Sequence, residues 1–310
     1  MKIEYIFPVI STSFWGVSIV GAKIVGEAGF SPIEITFGRF FIATIIFIPL
    51  LIYLNQNQSN IIPKEKSTWM KIFGLSLTGV AVNNSIFYFG LSHTDASIAS
   101  LIVSLNPLMT MLFAVVMLGE RFTKRKGYSV ILGIIGVGLI IGFSGNTGQL
   151  EGNLLILLGI TIWGSSFSFS RLASEAGMSS IAITGWSEIL GTVFLLPVVM
   201  LGHPLSKISL IHGHILFWFF FMGVLSSVIA YILHYQAISV LGASTVAPST
   251  NIIPLSGALT SFFLLGEKLK GYPLIGALFI IIGVIIVQLE NGNISAEPEI
   301  VTNESESAPK

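Results

Sequence analysis

Ten runs of mostly apolar residues, each near the 20 or so that a bilayer-spanning helix needs, take up most of this chain. They fall near 4–23, 33–54, 70–91, 96–118 and 127–144, and then near 153–173, 181–201, 215–238, 243–265 and 271–289. Lipid offers no hydrogen bonds, so a segment that crosses it must pair its own backbone groups, and a helix does this alone. The soluble alternative fails on charge. Only 10% of the 310 residues are Asp, Glu, Lys or Arg, against about 25% in a soluble domain. The expected fold is an all-α integral membrane protein with ten transmembrane helices. Lys2 precedes the first run as in a signal peptide, but no small-x-small cleavage site is clear, so the run reads as a retained first helix.

The runs are written twice. At an offset of 147, Tyr88 meets Tyr235, Ser92 meets Ser239, and Pro107-Leu108 meets Pro254-Leu255. Leu118-Gly119-Glu120 likewise meets Leu265-Gly266-Glu267, and Ile134-Ile135-Gly136-Val137 meets Ile281-Ile282-Gly283-Val284. At 148, Trp15-Gly16 falls on Trp163-Gly164, Lys23 on Arg171 and Pro49 on Pro197. A hydrophobic background inflates chance identity, yet it does not align Trp, Pro, Gly and Glu together. Two repeats of five helices are expected, 1–145 and 152–290, joined by a short turn at Gly145–Gly152. Five is odd, so the second repeat enters the membrane from the opposite side, an inverted arrangement common among alternating-access carriers. Residues 291–310 hold Glu297, Glu299, Glu304 and Glu306 without periodicity, and are expected to form a disordered, acidic cytoplasmic tail.

Loop charge gives an orientation. Lys64, Lys66 and Lys71 flank the second connection, and Arg121, Lys124, Arg125 and Lys126 fill the fourth, while the third and fifth carry no Lys or Arg. The positive-inside rule then puts both termini in the cytoplasm of a cell, multi-pass across the cytoplasmic membrane. Lys268 and Lys270 would lie outside, against the rule, but the asymmetry of the first half is the larger.

Each half closes on Pro, eleven residues, Gly-Glu-basic and a glycine-bearing last helix. With the early Trp-Gly pairs and Arg39-Phe40-x-x-Ala43 in the second helix, this pattern resembles the EamA-type carriers of the drug/metabolite transporter superfamily over about residues 1–290. The resemblance implies secondary transport without ATP, and no Gly-x-x-x-x-Gly-Lys phosphate loop is present. It is specific for the fold and leaves the substrate open among amino acids, drugs and other metabolites. Arg39 has no basic counterpart in the second half, where Ser187-Glu188 stands in its place.

Polar and aromatic groups at bilayer depth are the candidates for the site. Asn84 and Tyr88, four apart, share a face of the third helix, and Tyr231 and Tyr235 share the matching face of the eighth, with His234 beside them. Their duplication suits a cavity at the repeat interface; interhelical hydrogen bonds, worth about 0.6–2 kcal/mol each, are the plainer alternative. Trp15 and Trp163 lie deeper than belt tryptophans and would wall such a cavity, and Asn251 completes the candidate substrate-binding set. Glu188, in the first half of the seventh helix, suits a proton carrier or a counter-charge to a cationic solute, against an interfacial carboxyl bonded to a neighbouring helix. Arg39 is either a contact for an anionic substrate or a structural arginine bonded to carbonyls or headgroups. Glu120 and Glu267 read as ion-pairing or capping groups, and Pro107 and Pro254 as hinges or packing kinks. His203, His212 and His214 cluster between the seventh and eighth helices without a convergent carboxylate or thiolate, so neither metal nor cofactor is expected.

These features lead to a secondary transporter that moves a small organic solute outward by alternating access. The solute would be an amino acid, a similar zwitterionic or uncharged molecule, or a drug-like compound, with proton coupling possible through Glu188. A lipid-modifying membrane enzyme would need a nucleophile with its base, and the chain, which has no cysteine, offers none. A pore or non-transporting scaffold is disfavoured by the inverted repeat. Membrane lipid and the solute are the expected partners, nucleic acid is not, and monomer and homodimer are both open because glycine-rich helices pack well in either.

Overall fold

A computed structural model of the protein describes residues 5–57, 61–142, 147–201, 207, 211–241, 246–268 and 271–294. Among them no strand occurs, and the helices follow the apolar runs. We label them α1 (Ile6–Glu27), α2 (Pro32–Asn57), α3 (Lys66–Leu91), α4 (Ala96–Leu118) and α5 (Lys124–Gly142). Then come α6 (Thr147–Glu175), α7 (Ser180–Leu201), α8 (Gly213–Leu241), α9 (Ile252–Leu265) and α10 (Gly271–Ile294). The first eight are long and apolar enough to cross a membrane, and two shorter apolar stretches, Ser249–Leu265 and Gly271–Ile286, complete ten. The chain is an all-α, multi-pass membrane protein. Helix α10 runs on to Ile294, into the stretch read as a tail, and 295–310 lie outside the described residues.

The bundle turns apolar side chains outward and small polar ones inward. Leu201, Val116 and Phe263 are 83%, 80% and 76% exposed, whereas Ser11, Ser100, Ser104 and Ser166 are fully buried. In water such a surface would be an aggregation hazard; against lipid it is at ease, and small inner residues let helices approach. The closest approaches are at glycines. Helices α5 and α10 cross where a Cβ on Gly136 or Gly276 would lie 2.5 Å from the other's carbonyl oxygen. One more contact of that pair joins Ser129 Oγ to the Gly283 carbonyl at 2.6 Å. Helices α3 and α6 cross at Gly90 and Gly152, α1 packs on α8 and α9, α4 on α6, and α2 on α7.

Four of these helices are irregular where they surround the centre. Ser76–Ala81 in α3 and Phe221–Ile229 in α8 are π-helical, a wider winding that displaces backbone carbonyls from their usual partners. Helix α4 is interrupted after Val103 and resumes at Asn106, and α9 is preceded by a 3₁₀ turn at Ala247–Asn251. Pro107 and Pro254 therefore do not kink continuous helices. Each sits in the first turn of a helix that resumes after an irregular stretch, where a missing N–H leaves no bond broken.

Both of those helices end on a glycine in the left-handed region, Gly119 at φ +71° and Gly266 at φ +67°. The following glutamates then diverge. Glu267 turns its carboxylate onto the N–H groups of Ala96 and Ser97, at 3.0 and 2.8 Å, and so caps the start of α4. Glu120 forms an ion pair with Lys126 at 3.0 Å.

Candidate functional site

The irregular segments frame a central cavity. Its wall takes Trp15 from α1, Arg39 from α2, Asn84 and Tyr88 from α3, Trp163 from α6 and Tyr231 from α8, with Val103 from the end of the first part of α4 and Ile253 from the start of α9. The space holds about 50 Å³, enough for a few waters and too little for a metabolite. A second cavity of about 270 Å³ lies at the Glu27 end of α1, between α1, α2 and α3. Tyr88 belongs to the wall of both.

Two of the predicted residues hold the π segments in place. The Trp15 indole N–H donates to the carbonyl of Ser226 at 3.0 Å. Asn84 Nδ2 donates to the carbonyls of Gly79 and Val80 at 3.1 and 3.0 Å. Gly79 and Ser226 are themselves related by the 147-residue offset, so each half satisfies the same displaced carbonyl with a different side chain. The rings then stack into one cluster: Trp15 meets Trp163 edge-on at 5.3 Å and packs on Tyr231 at 4.8 Å and His234 at 4.7 Å.

Arg39 is buried and fully engaged on one side. Its Nε donates to Ser227 Oγ at 2.9 Å, Nη2 to Ser226 Oγ at 3.2 Å and Nη1 to the Tyr88 hydroxyl, while its guanidinium lies 4.7 Å from the Phe40 ring. Glu188, 1% exposed on α7, is the opposite case. Neither carboxylate oxygen has a hydrogen-bond partner. Among the described residues no ion pair within 4.0 Å joins it to Arg39 or to any other basic side chain.

Three predicted residues lie outside the cavity wall. His234 stands behind Trp15 with Nδ1 3.1 Å from Ser11 Oγ, and Tyr235 stands beyond Tyr231, ring to ring at 5.7 Å. Asn251 ends the 3₁₀ turn before α9. Among the described residues no group of three His, Cys, Asp or Glu could hold a metal ion; His203 lies outside them. Ser226 and Ser227, which hold Arg39, escaped the sequence reading because the positions 147 residues earlier are Gly79 and Val80, and matching at that offset picks out only residues that coincide.

Comparison with known proteins gives the class. The model of the EamA-like transporter family matches residues 2–142 and again 150–289. The chain belongs to the EamA-like transporter family. It is 26% identical over 265 residues to the uncharacterized transporter YyaM of Bacillus subtilis, covering 83% of this chain and 84% of that one. It is 23% identical over 213 residues to a probable terminal-alkyne amino-acid exporter of Streptantibioticus cattleyicolor, covering 68% and 70%. One solved crystal structure superposes with a TM-score of 0.65 at 16% identity over 95% of this chain and 98% of the other, a likeness of fold alone.

Proposed function

We propose that the protein is a secondary transporter that carries a small organic solute with an apolar part outward across the cytoplasmic membrane by alternating access. The observation that carries this reading is the central cavity, walled by rings and polar groups from both halves of the chain and too small for a solute as it stands. Alternating access needs a central site that both halves line and that widens when one side opens. The exporter among the relatives favours an amino-acid-like solute. Reciprocal packing supports the inverted repeat: Gly136 meets Gly276 while Ser129 meets Gly283, and Gly16 packs on Ser256-Gly257 while Gly164 packs on Met109-Thr110. The unpartnered Glu188 carboxyl is the coupling group, exchanging a proton as the two sides alternate. Uptake of labelled amino acids into liposomes bearing the purified protein tests this reading, with saturation expected for a carrier and a linear dependence on concentration for a pore.

Orientation follows from the basic second and fourth connections. In intact cells a single cysteine at Lys124 is expected to be shielded from an impermeant thiol reagent, and one at Gly148 to react. Labelling at Lys124 from outside would reverse the assignment.

A further inference from the structure

The hydrogen bonds of Arg39 show what the cavity lacks. All three go to uncharged hydroxyls, those of Tyr88, Ser226 and Ser227. No carboxylate reaches it: the ion pairs among the described residues are Lys126–Glu120, Arg171–Glu175 and Lys207–Glu34. Arg39 nevertheless is 4% exposed and lies in the cavity wall, whereas Glu188 does not line the cavity. The wall therefore presents one positive charge and no negative one to whatever enters.

A guanidinium carries five N–H donors in a planar fork. Three are used here, so two remain for a ligand. A carboxylate fits a guanidinium fork with parallel bonds. The indoles of Trp15 and Trp163 and the side chains of Val103 and Ile253 share the same cavity, so an apolar remainder has a place beside the charge. A purely structural arginine, tying α2 to α3 and α8, would use the same three hydroxyls. It would not need to face the cavity.

We propose that Arg39 determines specificity by taking the carboxylate of the transported solute, so that the site selects carboxylate-bearing molecules with an apolar body over their uncharged counterparts. This deepens, and rests on, the reading of the central cavity as the solute site.

Equilibrium dialysis of the detergent-purified protein against matched probes tests it. The probes are 3-phenylpropanoate with 3-phenylpropanamide, benzoate with benzamide, and L-phenylalanine with L-phenylalaninamide. The acids are expected to bind at least about tenfold tighter than the amides, the effect of one charge-assisted hydrogen bond. Arg39→Gln should erase that ratio, and Tyr88→Phe, which frees a donor on Arg39, should keep or widen it. Should Arg39→Gln fail to fold, the ratio in the unaltered protein and in Tyr88→Phe still decides. Amides binding as tightly as acids would overturn the proposal while leaving the solute site standing, as would a ratio that survives in Arg39→Gln. Binding by none of the probes would overturn the solute-site reading itself and this proposal with it.

Discussion

Glu188→Gln is expected to abolish transport driven by a pH gradient while exchange of solute across the membrane continues. The expectation rests on how little holds the carboxyl. It is 1% exposed, both oxygens lack partners, and the hydrogen bonds to this residue go to its backbone carbonyl, from Thr192 at 2.8 Å and Thr44 at 3.5 Å. A charge at the bilayer centre costs about 2.5–3.5 kcal/mol even by the lower scales. The protein carries that cost whenever Glu188 is ionised, and a group kept on such terms earns notice as a functional one. Glutamine has nearly the same shape and no charge, so stability should hold or rise, which separates this outcome from a folding defect. Liposomes with an imposed pH gradient supply the measurement. Gradient-driven uptake at the unaltered rate would remove Glu188 from the mechanism.

The second large effect is one of packing. At Gly276 an added Cβ would lie 2.5 Å from the Gly136 carbonyl oxygen and 2.8 Å from a side-chain atom of Ile140. Backbone cannot step aside as a side chain can, so Gly276→Val must push α10 off α5. Overpacking of this kind costs about 1–3 kcal/mol and occasionally more. Gly138→Ala on the same helix α5 is the control, since nothing lies within 4 Å of its added methyl. There the higher helix propensity of alanine should leave stability level or raise it by up to about 1 kcal/mol. Thermal unfolding in detergent, followed by tryptophan fluorescence, should separate the two. Equal midpoints would mean that the crossing is looser than the structure has it.

The spans were legible because lipid imposes one requirement, about 20 apolar residues in a self-satisfied helix, and composition alone reports it. The centre was legible only in part. Trp15, Asn84, Tyr88, Trp163 and Tyr231 reach the cavity wall, while Tyr235 does not. It shares a helical face with Tyr231, but four residues are about 6 Å along the axis, which carries it past the cavity. Face is readable from spacing; depth along the helix is not. The π segments left no mark either, since an apolar run looks the same in α or π winding. Nor did the interruption after Val103, because Pro107 lies beyond it and would suggest a kink at its own position. Arg39 was visible as an anomaly in an apolar helix, but its role depended on two serines that the other half of the chain does not repeat.

The central claim, a solute site that opens to one side at a time, is tested most directly at Ser18. This residue lies in the cavity wall, is 2% exposed, and its hydroxyl has no hydrogen-bond partner, so Ser18→Cys changes little. The chain has no other cysteine, which leaves the readout without background. In liposomes an impermeant thiol reagent added to one side should label Ser18→Cys slowly. A solute gradient that favours that side should speed labelling there and slow it on the other, and bound solute should protect the site. Equal, gradient-independent labelling from both sides would indicate a pore, and no labelling under any gradient would mean that the cavity is packing and no part of a path.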